Sequence, residues 1–230
     1  MSAVGGLRRD GRLAGALYLV VVLTGMYCLA YVPGQVGNTL AEASAQSAIF
    51  RAGIAAFLVM QVAFLLLPFA LYRVLGDVDR RAATVMVALA VASVPIGLVA
   101  VTHRMDALVL LDGAASGATE AMEAAFKSCQ QRYGHGLRIA SLFWGLWLLP
   151  FGWLVLRSAR LPRLLGLLLV LGGLGYVVQV FGGLVPAMAD SPLLRYVRMP
   201  AAFGEIGSCL WLLLFGARVG RVDATPTGFS

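Results

Sequence analysis

The sequence predicts an all-α, polytopic transmembrane helical bundle of about six spans with both termini cytoplasmic. Composition, run length and charge sidedness predict it. The 230 residues are 60% hydrophobic and only 13% charged, with a mean hydropathy of +0.86. An ordinary soluble domain carries roughly 25% charged residues, and one soluble globule of this length could not hide so much apolar surface. The apolar residues lie in continuous runs near the roughly 20 residues that cross a bilayer. A membrane barrel needs shorter segments that alternate apolar and polar.

In order, the runs are 13–32, 52–75, 82–101, 137–156, 164–185 and 200–217. The first follows Arg8, Arg9 and Arg12, as a signal peptide would, but it is too long for a signal h-region and is read as a retained span. Pro68 and Pro95 fall inside the second and third runs, where membrane helices tolerate proline and kink. The fifth run carries Gly166, Gly172, Gly173, Gly175, Gly182 and Gly183, small residues that let helix backbones approach closely. Between the spans, Thr39-Leu-Ala-Glu42 reads as a capping box that opens a short helix. Met122, Phe126, Cys129 and Tyr133 form one apolar stripe, so an amphipathic helix is expected near 118–133, lying over the membrane surface. Its function is either packing against the span ends or that of a lid. The domain plan is a cytoplasmic N-terminus (1–12), a six-helix membrane domain (13–217) and a disordered cytoplasmic tail (218–230).

Charge sets the orientation. The N-terminus, the second and fourth loops and the tail hold Arg8, Arg9, Arg12, Arg73, Arg80, Arg81, Arg157, Arg160, Arg163, Arg218 and Arg221 against Asp10, Asp77, Asp79 and Asp223. The other side is balanced, so the whole net charge of +7 falls on one face. Excess Lys/Arg marks the cytoplasmic side. Short arginine-bearing loops at span ends suit anionic lipid headgroups and exclude nucleic acid as a partner. Membrane lipid is the expected partner, with a small apolar or amphipathic ligand as a further one. Cys28, Cys129 and Cys209 are widely spaced and predict no disulfide framework.

Ionisable groups in membrane spans are expensive and are functional candidates. Arg51, His103, Asp106, His135, Arg138, Gln179, Arg198 and Glu205 all fall in the extracytoplasmic half and are expected to form one polar cluster. His103 and Asp106, like His135 and Arg138, are three apart and share a helix face. Gln61 is the main polar group near mid-span elsewhere. Glu205 has two readings, structural pairing with Arg51, Arg138 or Arg198, or a binding or catalytic role. The histidines are either interface residues or, with a carboxylate, ligands of a metal. No HExxH spacing supports the metal, and no metal or other cofactor is expected. Nucleophile-elbow, Walker A and dinucleotide motifs are missing.

Four stretches, RLAGALYL (12–19), IFRAGI (49–54), LPRLLG with GLGY (161–166, 173–176) and PAAFGEI with WLLL (200–206, 211–214), resemble an uncharacterised bacterial multi-pass membrane family. It is catalogued as domain of unknown function number forty-three eighty-six. The resemblance covers nearly the whole chain. It implies six helices in a bacterial inner membrane and no established activity, and it places Arg51 and Glu205 at recurrent polar positions. Three functions stay open: binding or transport of a small molecule or lipid, an intramembrane enzyme acting on a lipid or isoprenoid, and a structural or assembly partner of other membrane proteins.

Overall fold

The computed structural model describes residues 3–114, 117–189 and 191–217. The expected disordered tail, with Arg218, Arg221 and Asp223, lies outside the described residues, as do Asp190 and the side chain of Arg195. Among the described residues the chain is an all-α bundle with no strand. Helix α1 (Ala3–Gly25) runs into a π-helical segment, Met26–Tyr31, and then α2 (Val32–Val36). Next come α3 (Leu40–Ala45), α4 (Ser47–Leu75), α5 (Arg80–Gly113), α6 (Glu120–Ser158) and α7 (Arg163–Gly182). Two short helices, α8 (Pro186–Ala189) and α9 (Pro192–Tyr196), precede α10 (Met199–Phe215). Five helical stretches are long and apolar enough to cross a membrane, and α10 is a shorter apolar helix of 17 residues. The chain is therefore an integral, multi-pass membrane protein.

The long helices form a closed ring. Each of α1, α4, α5, α6 and α7 packs against the next, and α10 packs against both α7 and α1. Glycines set how closely the ring closes. A Cβ on Gly15 would lie 2.4 Å from the Leu213 backbone in α10, one on Gly11 2.4 Å from the Ala217 backbone just past its end, and one on Gly172 2.3 Å from Ala201. Without a hydrophobic drive between helices in lipid, such backbone contact supplies the attraction. Outside the ring, Leu23, Val62, Phe69, Val99, Leu164, Phe203 and Leu214 are exposed. In water that belt would be an aggregation site; in lipid it costs nothing.

Inside the ring there are two cores. One gathers Tyr18, Phe64, Leu71, Met86, Trp147 and Phe151. The other gathers Cys28, Val36, Phe50, Phe57, Val101 and Phe126. Val21 and Trp144 touch both, marking the seam.

The ends of the helices are capped by side chains. Thr39 and Glu42 complete a reciprocal capping box on α3. Asp79 accepts from Ala82 N and Thr119 from Met122 N at the starts of α5 and α6. Glu42's carboxyl is held below its ordinary range by the Asn38 and Thr39 amides, and Glu123's by the Leu40 amide. At the opposite end, Arg160 forks onto Asp77 and also donates to Val74 O. Those hydrogen bonds hold the Asp77 carboxyl below the usual carboxylate range. Ion pairs respect the two-sided grouping of charges: Arg73–Asp10 and Arg160–Asp77 join residues of one side, Arg51–Asp112 and Lys127–Glu123 those of the other.

The expected surface helix differs from what is found. Its residues are helical, but they form the first turns of α6, one continuous helix of 39 residues and roughly 58 Å. Gly134 and Gly136 do not break it, because α5 runs alongside and Ala100 packs onto Gly136. The apolar stripe serves packing: Phe126 is fully buried against Phe50, and Tyr133 meets Phe57 edge-on. Pro68, Pro95 and Pro150 all lie inside continuous helices.

Candidate functional site: a chamber around Glu205

At the seam between the two cores lies a chamber of about 260 Å³. Its walls are mostly apolar, from Val21, Val22, Met60 and Phe64, but five helices also bring polar groups, Tyr176 of α7 and Trp144 of α6 among them. Helix α10 supplies Glu205, placed against α7 because Gly204 lets the Leu169 backbone come close. Helix α1 supplies Tyr18, only 1% exposed, whose hydroxyl donates to Glu205 Oε1 at 3.1 Å. Helix α4 supplies Gln61, whose Nε2 donates to Val94 O at 3.1 Å. Gly97 makes room for that amide, since a Cβ there would lie 2.2 Å from Nε2. Helix α6 supplies Trp147, stacked on Phe151 with centroids 5.4 Å apart and edge-on to Phe64 at 5.3 Å.

These contacts fix the indole and the amide yet leave two polar atoms over. Trp147 Nε1 and Gln61 Oε1 are buried and have no hydrogen-bond partner among the described residues. Buried polar groups are paired in more than about 90% of cases, and both of these unpaired atoms belong to residues that line the chamber. The mouth opens sideways: Met26, Ala202 and Ile206 line the chamber and are exposed on the flank of the bundle. The π-helical segment forms that rim. An added residue per turn widens a helix, and such segments recur at functional sites.

Above the chamber is a larger and more polar vestibule of about 800 Å³. Leu29 and Trp144 are walls of both spaces. Arg138, Arg198, Gln179 and Ser141 face the vestibule. Gln179 donates to Leu194 O at 3.0 Å and ties α9 to α7. The Arg198 guanidinium lies 5.3 Å from the centroid of Tyr176, whose ring also lines the chamber.

The eight residues predicted as one cluster therefore occupy four places. Glu205 is in the chamber, and Arg138, Gln179 and Arg198 are in the vestibule. His103 and His135 line a separate open cleft between α5 and α6 with Arg132, and Asp106 lies 3.6 Å from His103. Arg51 is consumed by an exposed pair with Asp112 at 2.5 Å. Glu205 takes Tyr18 as its partner in place of an arginine. Arg104 lies between the rings of Phe50 and Tyr133, 4.9 and 4.5 Å from their centroids. Three chamber groups, Tyr18, Trp147 and Tyr176, carried no sequence signal that sets them apart from ordinary span aromatics. Gln61 did stand out as a lone amide in an apolar run.

Chemically, the chamber offers one carboxyl, one amide, two phenols and an indole N–H, a set suited to hydrogen-bonding a guest and exchanging a proton at Glu205. Among the described residues no three His, Cys, Asp or Glu side chains gather as a metal site, and all three cysteines are free.

An uncharacterized protein of Archaeoglobus fulgidus is 29% identical over 96 residues, which is 39% of this chain and 52% of that protein. The match thus spans about half the relative's length. No solved structure matches the chain. The profile of one family, described as a domain of unknown function (DUF4386), matches residues 13–216, and the chain belongs to that family.

Proposed function

We propose that the protein crosses a bacterial inner membrane six times, with both termini cytoplasmic, and takes a small apolar or amphipathic molecule from the bilayer into the chamber around Glu205. The observation that carries the binding role is the pair of orphaned buried atoms, Trp147 Nε1 and Gln61 Oε1, beside Glu205 in a space whose mouth faces sideways. A guest hydroxyl, which both donates and accepts, suits one donor and one acceptor, while the apolar walls take its hydrocarbon. The arginine excess on one end of the bundle supports the orientation.

Native mass spectrometry of the full chain released from mild detergent tests the binding role. The wild type should carry an added small-molecule mass, and Ala202→Phe, which fills the mouth, should lose it while keeping its helical circular dichroism. Bare chains in both samples would leave only water to pair the orphans and refute the proposal. A reporter fused to the tail should be active on the cytoplasmic side; periplasmic activity would overturn the orientation.

A further inference from the structure

We infer that the guest bears a phosphate headgroup, gripped between Arg138 and Arg198 in the vestibule, with its hydrocarbon passing Leu29 and Trp144 into the chamber. The inference rests on the chamber being a binding site and adds the chemical class of what it binds.

Five observations carry it. The two spaces adjoin, since Leu29 and Trp144 wall both. They are also unlike, the smaller one mostly apolar and the larger one mixed, with arginines, a glutamine and serines among its apolar residues, which is the division an amphiphile has within itself. The vestibule's described lining includes Arg138 and Arg198 and no carboxylate. Neither arginine forms an ion pair among the described residues, although the neighbouring acids do: Asp112 with Arg51 and Glu123 with Lys127. Finally, Arg198 is held in place by the face of Tyr176, so the cation is oriented before any ligand arrives.

The chemistry favours phosphate over a carboxylate. One guanidinium fork takes both oxygens of a carboxylate, whereas two forks from different helices need the additional oxygens of a phosphate. The depth agrees as well. Glu205 lies seven residues beyond Arg198 along the chain entering α10, about 10 Å deeper at the helical rise. A headgroup at the arginines would put the polar groups next to the phosphate at the seam, beside Trp144 and Trp147, and the hydrocarbon toward the sideways mouth.

The test uses the tryptophans already there. In a full-length chain with Trp153→Phe and Trp211→Phe, the remaining Trp144 and Trp147 report on the chamber. Dibrominated phosphatidate and dibrominated diacylglycerol, which share their chains and differ in phosphate, are titrated as quenchers in mixed micelles. Phosphatidate should quench at about tenfold to a hundredfold lower concentration, the worth of a charge-assisted contact. Arg138→Gln with Arg198→Gln should erase that advantage and leave diacylglycerol unchanged. Equal quenching by both lipids would overturn the phosphate inference and leave the chamber reading standing. No quenching by either would refute the chamber reading itself. If inorganic phosphate displaces phosphatidate and stabilises the chain equally when Ala202→Phe blocks the mouth, the vestibule is a free-anion site and the amphiphile is overturned. Should the double arginine variant fail to fold, the two-lipid comparison on the unaltered arginines still decides.

Discussion

Replacing Tyr18 with phenylalanine isolates one atom of the proposed site. The ring stays, packed 6.3 Å from Trp147 and 6.4 Å from Phe151, and only the hydroxyl that donates to Glu205 Oε1 is lost. Tyr18 is 1% exposed. A buried hydrogen bond contributes about 0.5–1.5 kcal/mol, and stranding its acceptor costs about 1–3 kcal/mol. Tyr18→Phe should therefore destabilise the chain by about 2 kcal/mol, read from reversible unfolding in mixed micelles by circular dichroism. The same change in a Glu205→Leu background should cost less than about 0.5 kcal/mol, because no acceptor is left stranded. The cycle then yields a coupling above about 1 kcal/mol. Additivity within roughly 0.3–0.5 kcal/mol, the behaviour of independent sites, would refute the claim that this bond anchors Glu205.

Other expectations follow from the packing and the ends of the helices. Gly172→Ala drives a methyl into the Ala201 backbone and should cost about 1–3 kcal/mol, whereas Gly134→Ala, with nothing within 4 Å of the new methyl, should stabilise α6 by about 0.4–1 kcal/mol; equal effects in thermal unfolding would contradict the packing account. Ala159 ends α6 at φ 50°, the left-handed region, so Ala159→Gly should raise stability by about 1 kcal/mol, and a loss on the same scan would count against that cap. Because Arg160 lowers the Asp77 pKa, the pair stabilises the fold above the unfolded carboxyl value of about 4 and loses that contribution as pH falls through the lower folded value. Asp77 is 66% exposed, so the stability gap between wild type and Asp77→Asn should be at most about 1 kcal/mol, constant from neutral pH down to pH about 5 and closing below about 4. A gap that widens on acidification would reverse the sign.

Most of the architecture was readable from hydropathy, because lipid demands long uninterrupted apolar runs and few folds satisfy it. The errors fall where polarity and helicity part company. The third and fourth runs end at Val101 and begin at Leu137, yet α5 continues to Gly113 and α6 starts at Glu120. Those extensions carry His103, Arg104, Asp106, Lys127 and Arg132, so hydropathy falls while backbone hydrogen bonding continues. The capping box at Thr39 was legible because it is local.

The site was legible only in part. Glu205 stands out as a lone acid in an apolar run, and Gln61 as a lone amide. Their neighbours Tyr18 and Trp147 look like any span aromatic, and only the closure of α10 onto α1 brings Tyr18, 187 positions away, to Glu205. Depth along the spans could not tell which helix faces converge. Arg51, His103 and His135 therefore separate from Glu205 although all were placed at similar levels.

The central claim is that the chamber holds a hydrogen-bonding amphiphile in the membrane. Density for the full chain in lipid nanodiscs tests it most directly. The account predicts an elongated feature that touches Trp147 Nε1 and Gln61 Oε1, passes Leu29 and reaches the arginines of the vestibule. A collapsed chamber, with the indole N–H and the amide oxygen paired to the protein's own groups, would contradict it.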